Sequence, residues 1–497
     1  MNSENRLLAK TPTGIEGLDE VTNGGLPTGR TSLVCGSAGS GKTVLGMEFL
    51  VHGILDYNEP GVFMAFEETE RDLTQNVASM GFDLDRLQQE GKLSIDHVYI
   101  EKSEIEETGE YDLEGLFIRL GAAVYAVKAK RVVLDTIEVL FSGLKNQSII
   151  RAELRRLFRW LKDRGLTAIV TGERGEGTLT RHGLEEYVAD CVILLDHRVT
   201  DQISTRRLRI VKYRGSLHGT DEYPFLMGES GISVLPISLV GLTHLASSDR
   251  ISSGVAGIDD MLGAHGFFRG SSILVSGTPG TGKSSVAMTF LKAACDRGEK
   301  ALYFGFEESR DQVLRNMKSI GLDLQPYLDR ELLHFHTVPP SNLGLEAHLA
   351  SMHQLIKRID PKVVAIDPIT NFISVSDAKA VKSMLTRMVD FLKMKQITTL
   401  CTHLSTLDRR ERSDESVSSM MDTWLQLRDL EHDGCRSYAL YVIKSRGMAH
   451  SHEMRQFILT DDGIKLGEIY TKRLTSQRGK RKISPAVSNS SAFPDRS

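Results

Sequence analysis

Two octets, Gly36-Ser37-Ala38-Gly39-Ser40-Gly41-Lys42-Thr43 and Gly277-Thr278-Pro279-Gly280-Thr281-Gly282-Lys283-Ser284, place glycine, lysine and a hydroxyl in the order G-x-x-x-x-G-K-[ST]. Glycines let backbone N–H groups curl around phosphate oxygens, and the positive end of a following helix adds to their pull. Lys42 and Lys283 are placed to reach β- and γ-phosphates, and the hydroxyls of Thr43 and Ser284 to ligate Mg²⁺. One such octet can be a chance glycine turn. Two of them, each after an apolar strand and each opening a helix, read as sites for a magnesium nucleotide.

Other side chains repeat alongside the octets. Asp135 and Asp367 each end an apolar run, RVVLD and VVAID, where a carboxylate at a strand tip can partner Mg²⁺. The pairs Glu67-Glu68 and Glu307-Glu308 follow apolar strands in the shared pattern F-E-E-[TS]. A carboxylate beside a γ-phosphate can take a proton from an attacking water or hydroxyl, and adjacent acids should raise each other's pKa. Which glutamate of each pair is the base stays open. Lys212 with Arg214, and Lys444 with Arg446, sit two residues apart on late strand-like segments, so each pair shares a face. Such cations can stabilise transferring phosphate charge, in the same subunit or across an interface.

The elements that must position these groups are themselves duplicated. Gly36 recurs as Gly277, 241 residues on; Glu67 recurs as Glu307 after 240; Asp135 recurs as Asp367 after 232. That period is a whole domain rather than a solenoid unit. We expect a first domain over 1–235, a linker over 236–249, a second domain over 250–471 and a disordered tail over 472–497, which is polar and rich in Ser and Pro. Strands are predicted at Ser32–Cys35, Gly61–Phe66, Arg131–Asp135 and Thr167–Thr171, and helices at Val44–Tyr57, Gly115–Lys128 and Ile149–Arg164. The alternation predicts two α/β domains with mostly parallel, doubly wound sheets.

Composition narrows the function. Sixty-one Lys+Arg against 65 Asp+Glu give a net charge of −4, without the basic field of a non-specific nucleic-acid binder. The cysteines Cys35, Cys191, Cys295, Cys401 and Cys435 form no C-x-x-C pair, which argues against a zinc ribbon and fits a reducing cytoplasm. No apolar run approaches the roughly 18 residues of a membrane span, and the N-terminus lacks a signal-peptide core.

Taken together, the tandem octets, F-E-E-[TS], the strand-end Asp and the late K-x-R-G resemble the KaiC family of RecA-like P-loop ATPases and autokinases, over roughly residues 10–470. The resemblance implies a homohexamer of two rings with ATP and Mg²⁺ held between subunits, so that Lys212, Arg214, Lys444 and Arg446 reach a neighbour's nucleotide. It implies slow ATP hydrolysis in the first domain, with autophosphorylation and dephosphorylation in the second. The family's acceptor pair precedes an Asp that leads a strand, and here Ser418 and Ser419 fall on it, with Ser413 on an accessory site. A serine stands at 419 where the family has threonine. In the first copy Thr178 and Thr180 do not reproduce the adjacent pair. The acidic stretch Glu101–Glu114 lies near where the family's first ring docks a KaiB-like partner. A response regulator or histidine kinase is another partner class that such a switch implies.

Two other classes remain in view. A RecA/RadA-type motor on DNA is disfavoured by the mild acidity and by the lack of an aromatic-plus-basic strand-binding pattern. A nucleotide-gated scaffold, read by its bound state alone, is disfavoured by both glutamate pairs being present.

Overall fold

The computed structural model describes residues 8–98, 113–141, 147–175, 179–180, 189–200, 203–229, 231–236, 246–405, 418–432 and 435–470. Residues 237–245 of the expected linker, Ser413, Thr178, acidic residues 101–112 and the expected tail lie outside them.

In the first half the order is β1 Thr31–Gly36, α1 Lys42–Tyr57, β2 Gly61–Ala65, β3 Leu93–His97, α2 Glu114–Val127, β4 Arg131–Asp135, α3 Gln147–Asp163, β5 Thr167–Glu173, β6 Cys191–Thr200, β7 Ile203–Tyr213, β8 Glu222–Gly228 and β9 Gly231–Val234. Among the described residues these strands form one nine-stranded sheet ordered β9-β8-β7-β6-β1-β5-β4-β2-β3. The pairs from β6 to β3 are parallel, and the apolar runs of β1, β2 and β4 are buried on both faces, as helix-covered parallel strands must be, while the edge strand β3 buries only Leu93 and Ile95. The edge beyond β6 turns antiparallel through β7, β8 and β9, an extension that the simple strand–helix alternation did not announce.

The second half repeats this plan. Its elements are β10 Ser272–Gly277, α4 Lys283–Asp296, β11 Ala301–Gly305, β12 Leu333–Thr337, α5 Leu345–Ile359, β13 Val363–Asp367, α6 Ala378–Met394, β14 Thr398–Leu404, β15 Thr423–His432, β16 Cys435–Ser445, β17 Arg455–Thr460 and β18 Gly463–Ile469. They form a sheet ordered β12-β11-β13-β14-β10-β15-β16-β17-β18. In both halves the phosphate-loop strand is central, with parallel neighbours on either side. Both octets therefore emerge at a carboxyl edge of a parallel sheet, where open α/β folds bind ligands.

The halves are joined by more than a connector. Leu235, just past β9, is fully buried in a hydrophobic cluster whose other buried members, Leu274, Phe304 and Ile366 among them, all belong to the second domain. Around it, Arg207 of β7 contacts Glu346 of α5 at 2.5 Å, and Lys357 of α5 contacts Glu16 at 3.1 Å. Ser233 also donates to Glu16, at 2.7 Å.

Candidate nucleotide and phosphoryl-transfer sites

The chain turns sharply after β1 because nothing larger than glycine fits at its end. A Cβ on Gly36 would stand 2.4 Å from Ser40 Oγ and 2.7 Å from the Leu195 carbonyl oxygen. On Gly277 it would stand 2.7 Å from the Leu427 carbonyl oxygen. Each turn then folds over its lysine. Lys42 Nζ donates to the Gly36 and Ser37 carbonyls at 3.0 and 3.1 Å, and Lys283 Nζ to the Thr278 carbonyl at 2.8 Å. Burial lowers the Lys283 pKa, opposed by the Asp367 and Glu307 carboxylates. In the first copy a cleft of about 310 Å³ opens here, lined by Gly39, Gly41, Lys42, Thr43, Glu68 and Met227, among others.

The strand-end aspartates reach these turns. Asp135 is buried, and its Oδ2 accepts from Thr43 Oγ1 at 2.7 Å while Thr171 donates to its other oxygen. Asp367 is buried as well, but accepts from Tyr303 Oη at 2.9 Å and from Thr402. Thr43 and Asp135 present hard oxygen donors of the kind Mg²⁺ takes, and Ser284 and Asp367 are their counterparts by sequence.

Each glutamate pair divides. Asn76, on the helix Glu70–Ala78, donates to Glu68 at 3.2 Å; Asn316, on Arg310–Lys318, donates to Glu308 at 3.2 Å. Glu67 instead has its pKa raised by burial, then by the charges of Glu173 and Asp135, against the pull of Lys42. Its neighbour Glu68 contributes least of these, so the mutual effect expected for adjacent acids is minor here.

The basic pairs lie elsewhere. Lys444 and Arg446 donate to the carbonyls of Ser418 and Ser419, the latter at 2.8 Å. Burial and Arg446 lower the Lys444 pKa, against Asp422. Burial would lift the Asp422 carboxyl, but Lys393 at 2.8 Å and two donors from Ser272 outweigh it and hold it below the carboxylate range. Ser418 is buried and Ser419 exposed. Arg214 stands over Asp190 in the same way that Arg446 stands over Asp422, each pair at 4.0 Å.

Register shows how far apart these groups are. Thr423 pairs with Ile273 and Ser445 with Thr423, so the serine pair and its cations flank the amino end of β10, whereas the octet leaves its carboxyl end. Five residue steps separate Ser272 from Gly277, about 16 Å of strand. Lys212 likewise pairs with Val192, which is level with Leu33 rather than with the turn at Gly36.

Tandem α/β sheets of this order, each with a glycine–lysine phosphate turn and a strand-end aspartate beside it, define a two-domain RecA-like P-loop ATPase. A sequence model of the family described as "ATPase: KaiC" matches residues 11–238 and 251–471, and the chain belongs to that family. It is 53% identical over 472 residues to circadian clock protein KaiC2 of Synechocystis sp., covering 94% of this chain and 83% of the relative. It is 37% identical over 466 residues to the circadian clock oscillator protein KaiC of Synechococcus elongatus, covering 93% and 90%. Membership implies the use of ATP. Among the described residues, no helix is long and apolar enough to cross a membrane.

Proposed function

We propose that this chain is a cytoplasmic clock or signalling switch that hydrolyses ATP in its first domain. Its second domain moves the terminal phosphoryl group onto Ser418 and Ser419 and takes it back. Lys42 and the Gly36–Thr43 amides hold the phosphates of ATP in one domain, Lys283 and the Gly277–Ser284 amides in the other. Thr43 with Asp135, and Ser284 with Asp367, would hold Mg²⁺, which when bound spreads the phosphate charge. Glu67 and Glu307 act as bases, taking the proton from water in the first domain and from a serine hydroxyl in the second. Glu68 and Glu308 are fixed by their asparagines and shape the site.

The observation that carries this reading is the pair of opposed sheet ends. Ser418, Ser419, Lys444 and Arg446 gather about 16 Å of strand away from their own phosphate turn, too far for direct transfer. Transfer is therefore between subunits. A ring, a homohexamer in this family, sets the amino edge of one sheet against the carboxyl edge of the next, bringing Lys212, Arg214, Lys444 and Arg446 to a neighbour's ATP. A KaiB-like protein, or a response regulator or histidine kinase, reads the result.

Purified protein given Mg²⁺ and ATP should acquire phosphate on the serine pair, first on exposed Ser419 and then on buried Ser418. Peptide mass spectrometry over time checks both site and order. Mixing a Lys283→Ala chain with a Ser418→Ala/Ser419→Ala chain should restore labelling that neither shows alone. Failure of that rescue in mixed hexamers would rule out transfer between subunits.

A further inference from the structure

The two phosphate sites differ at one buried hydroxyl. Tyr303 on β11 occupies the position of Phe63 on β2, since Glu67 and Glu307 follow each by the same four residues. Both rings are buried. Phe63 ends in carbon, whereas Tyr303 Oη donates to Asp367 Oδ2 at 2.9 Å. In each domain a threonine, Thr171 or Thr402, takes one oxygen of the strand-end aspartate. The second oxygen of Asp135 is held by the phosphate-turn hydroxyl of Thr43, whereas that of Asp367 is held by Tyr303.

A second difference accommodates the first. Gly305 stands where the first domain has Ala65, and a Cβ there would lie 2.7 Å from Tyr303 Cε1. The glycine makes room for the tilted tyrosine ring; an alanine would push it. Tyrosine with glycine, against phenylalanine with alanine, is a matched pair of changes aimed at one carboxylate.

We propose that Tyr303 is a positioning residue that draws Asp367 away from the phosphate-turn hydroxyl and its metal, so that the second site holds Mg²⁺ more loosely than the first. The inference rests on reading both turns as magnesium–nucleotide sites. A carboxylate oxygen that already accepts from a phenol offers less charge to a metal's water shell. A loosely held metal suits a site that must give up its phosphoryl group and accept it again.

The test uses full-length protein with one turn silenced at a time. With Lys42→Ala silencing the first site, the Mg²⁺ concentration for half-maximal retention of a fluorescent ATP analogue is measured. Tyr303→Phe should lower it about ten- to a hundredfold, the effect of one hydrogen bond to a charged group, with affinity at saturating Mg²⁺ unchanged. With Lys283→Ala silencing the second site, Phe63→Tyr/Ala65→Gly should raise the first site's midpoint by a similar factor. An unmoved midpoint in either variant, with nucleotide still retained at saturating Mg²⁺, overturns the role of Tyr303 and leaves the nucleotide reading standing. If unsubstituted protein retains no analogue at any Mg²⁺ concentration, the nucleotide reading itself falls.

Discussion

Glu67→Gln should lower first-domain ATP turnover by about a hundred- to a thousandfold, with nucleotide affinity changed less than about threefold. General-base catalysis by a placed carboxylate contributes about 10²–10⁴, and the amide keeps the side chain's size while removing its basicity. Glu68→Gln should cost less, since Asn76 already engages that carboxylate. A pH profile separates a base from a mere positioning group. Burial, Glu173 and Asp135 raise the Glu67 pKa, so turnover should fall with acid through a pH above the ordinary glutamate range. In Glu67→Gln that acid limb should vanish from the residual rate. Steady-state hydrolysis in a Lys283→Ala background, which removes the second domain's contribution, makes the measurement. A limb that survives the substitution would assign it to another group.

Glu48→Gln should stabilise the protein by about 4 kcal/mol at pH 8 and by almost nothing near pH 4.5. Glu48, on α1 behind the phosphate turn, is 1% exposed and accepts from the Ile232 amide at 2.7 Å. Burial pushes its carboxyl from 4.5 to about 8, against that hydrogen bond. The folded protein therefore keeps a proton that the unfolded chain releases above about pH 4.5. Stability falls as pH rises through that window, until the folded carboxyl ionises near 8. Glutamine preserves the acceptor for Ile232 and carries no titrating proton, so the part of that fall due to Glu48 should vanish and the two stability curves should diverge as pH rises. Thermal melts of both proteins from pH 4.5 to 8.5 test this; parallel curves would mean that the native carboxylate is already ionised.

Much of the fold and part of the candidate site were legible because they are local. Each octet, its strand and its helix are contiguous, and the copying of Gly36 as Gly277 exposes the domain plan. The strands predicted at Ser32–Cys35 and Thr167–Thr171 lie within Thr31–Gly36 and Thr167–Glu173, because a buried parallel strand reads as an unbroken apolar run. What was not legible depends on register. The separation of 64 positions between Tyr303 and Asp367 hides a contact that only strand pairing creates. Glu48 meeting Ile232 spans 184. That the serine pair and the phosphate turn occupy opposite ends of neighbouring strands likewise follows from pairing and not from motif spacing. One signal was within reach: comparing the copies position by position shows Phe63 against Tyr303 and Ala65 against Gly305.

Leu235 means that the duplication did not produce two interchangeable cassettes. The first copy ends by plugging the second, so excising 250–471 on its own would leave an empty socket in that second-domain cluster. Emptying such a socket costs about 2–5 kcal/mol when a leucine is lost from a core. Any recombination that exchanges one half between relatives must bring the plug along with its socket, which ties the inheritance of the two halves together.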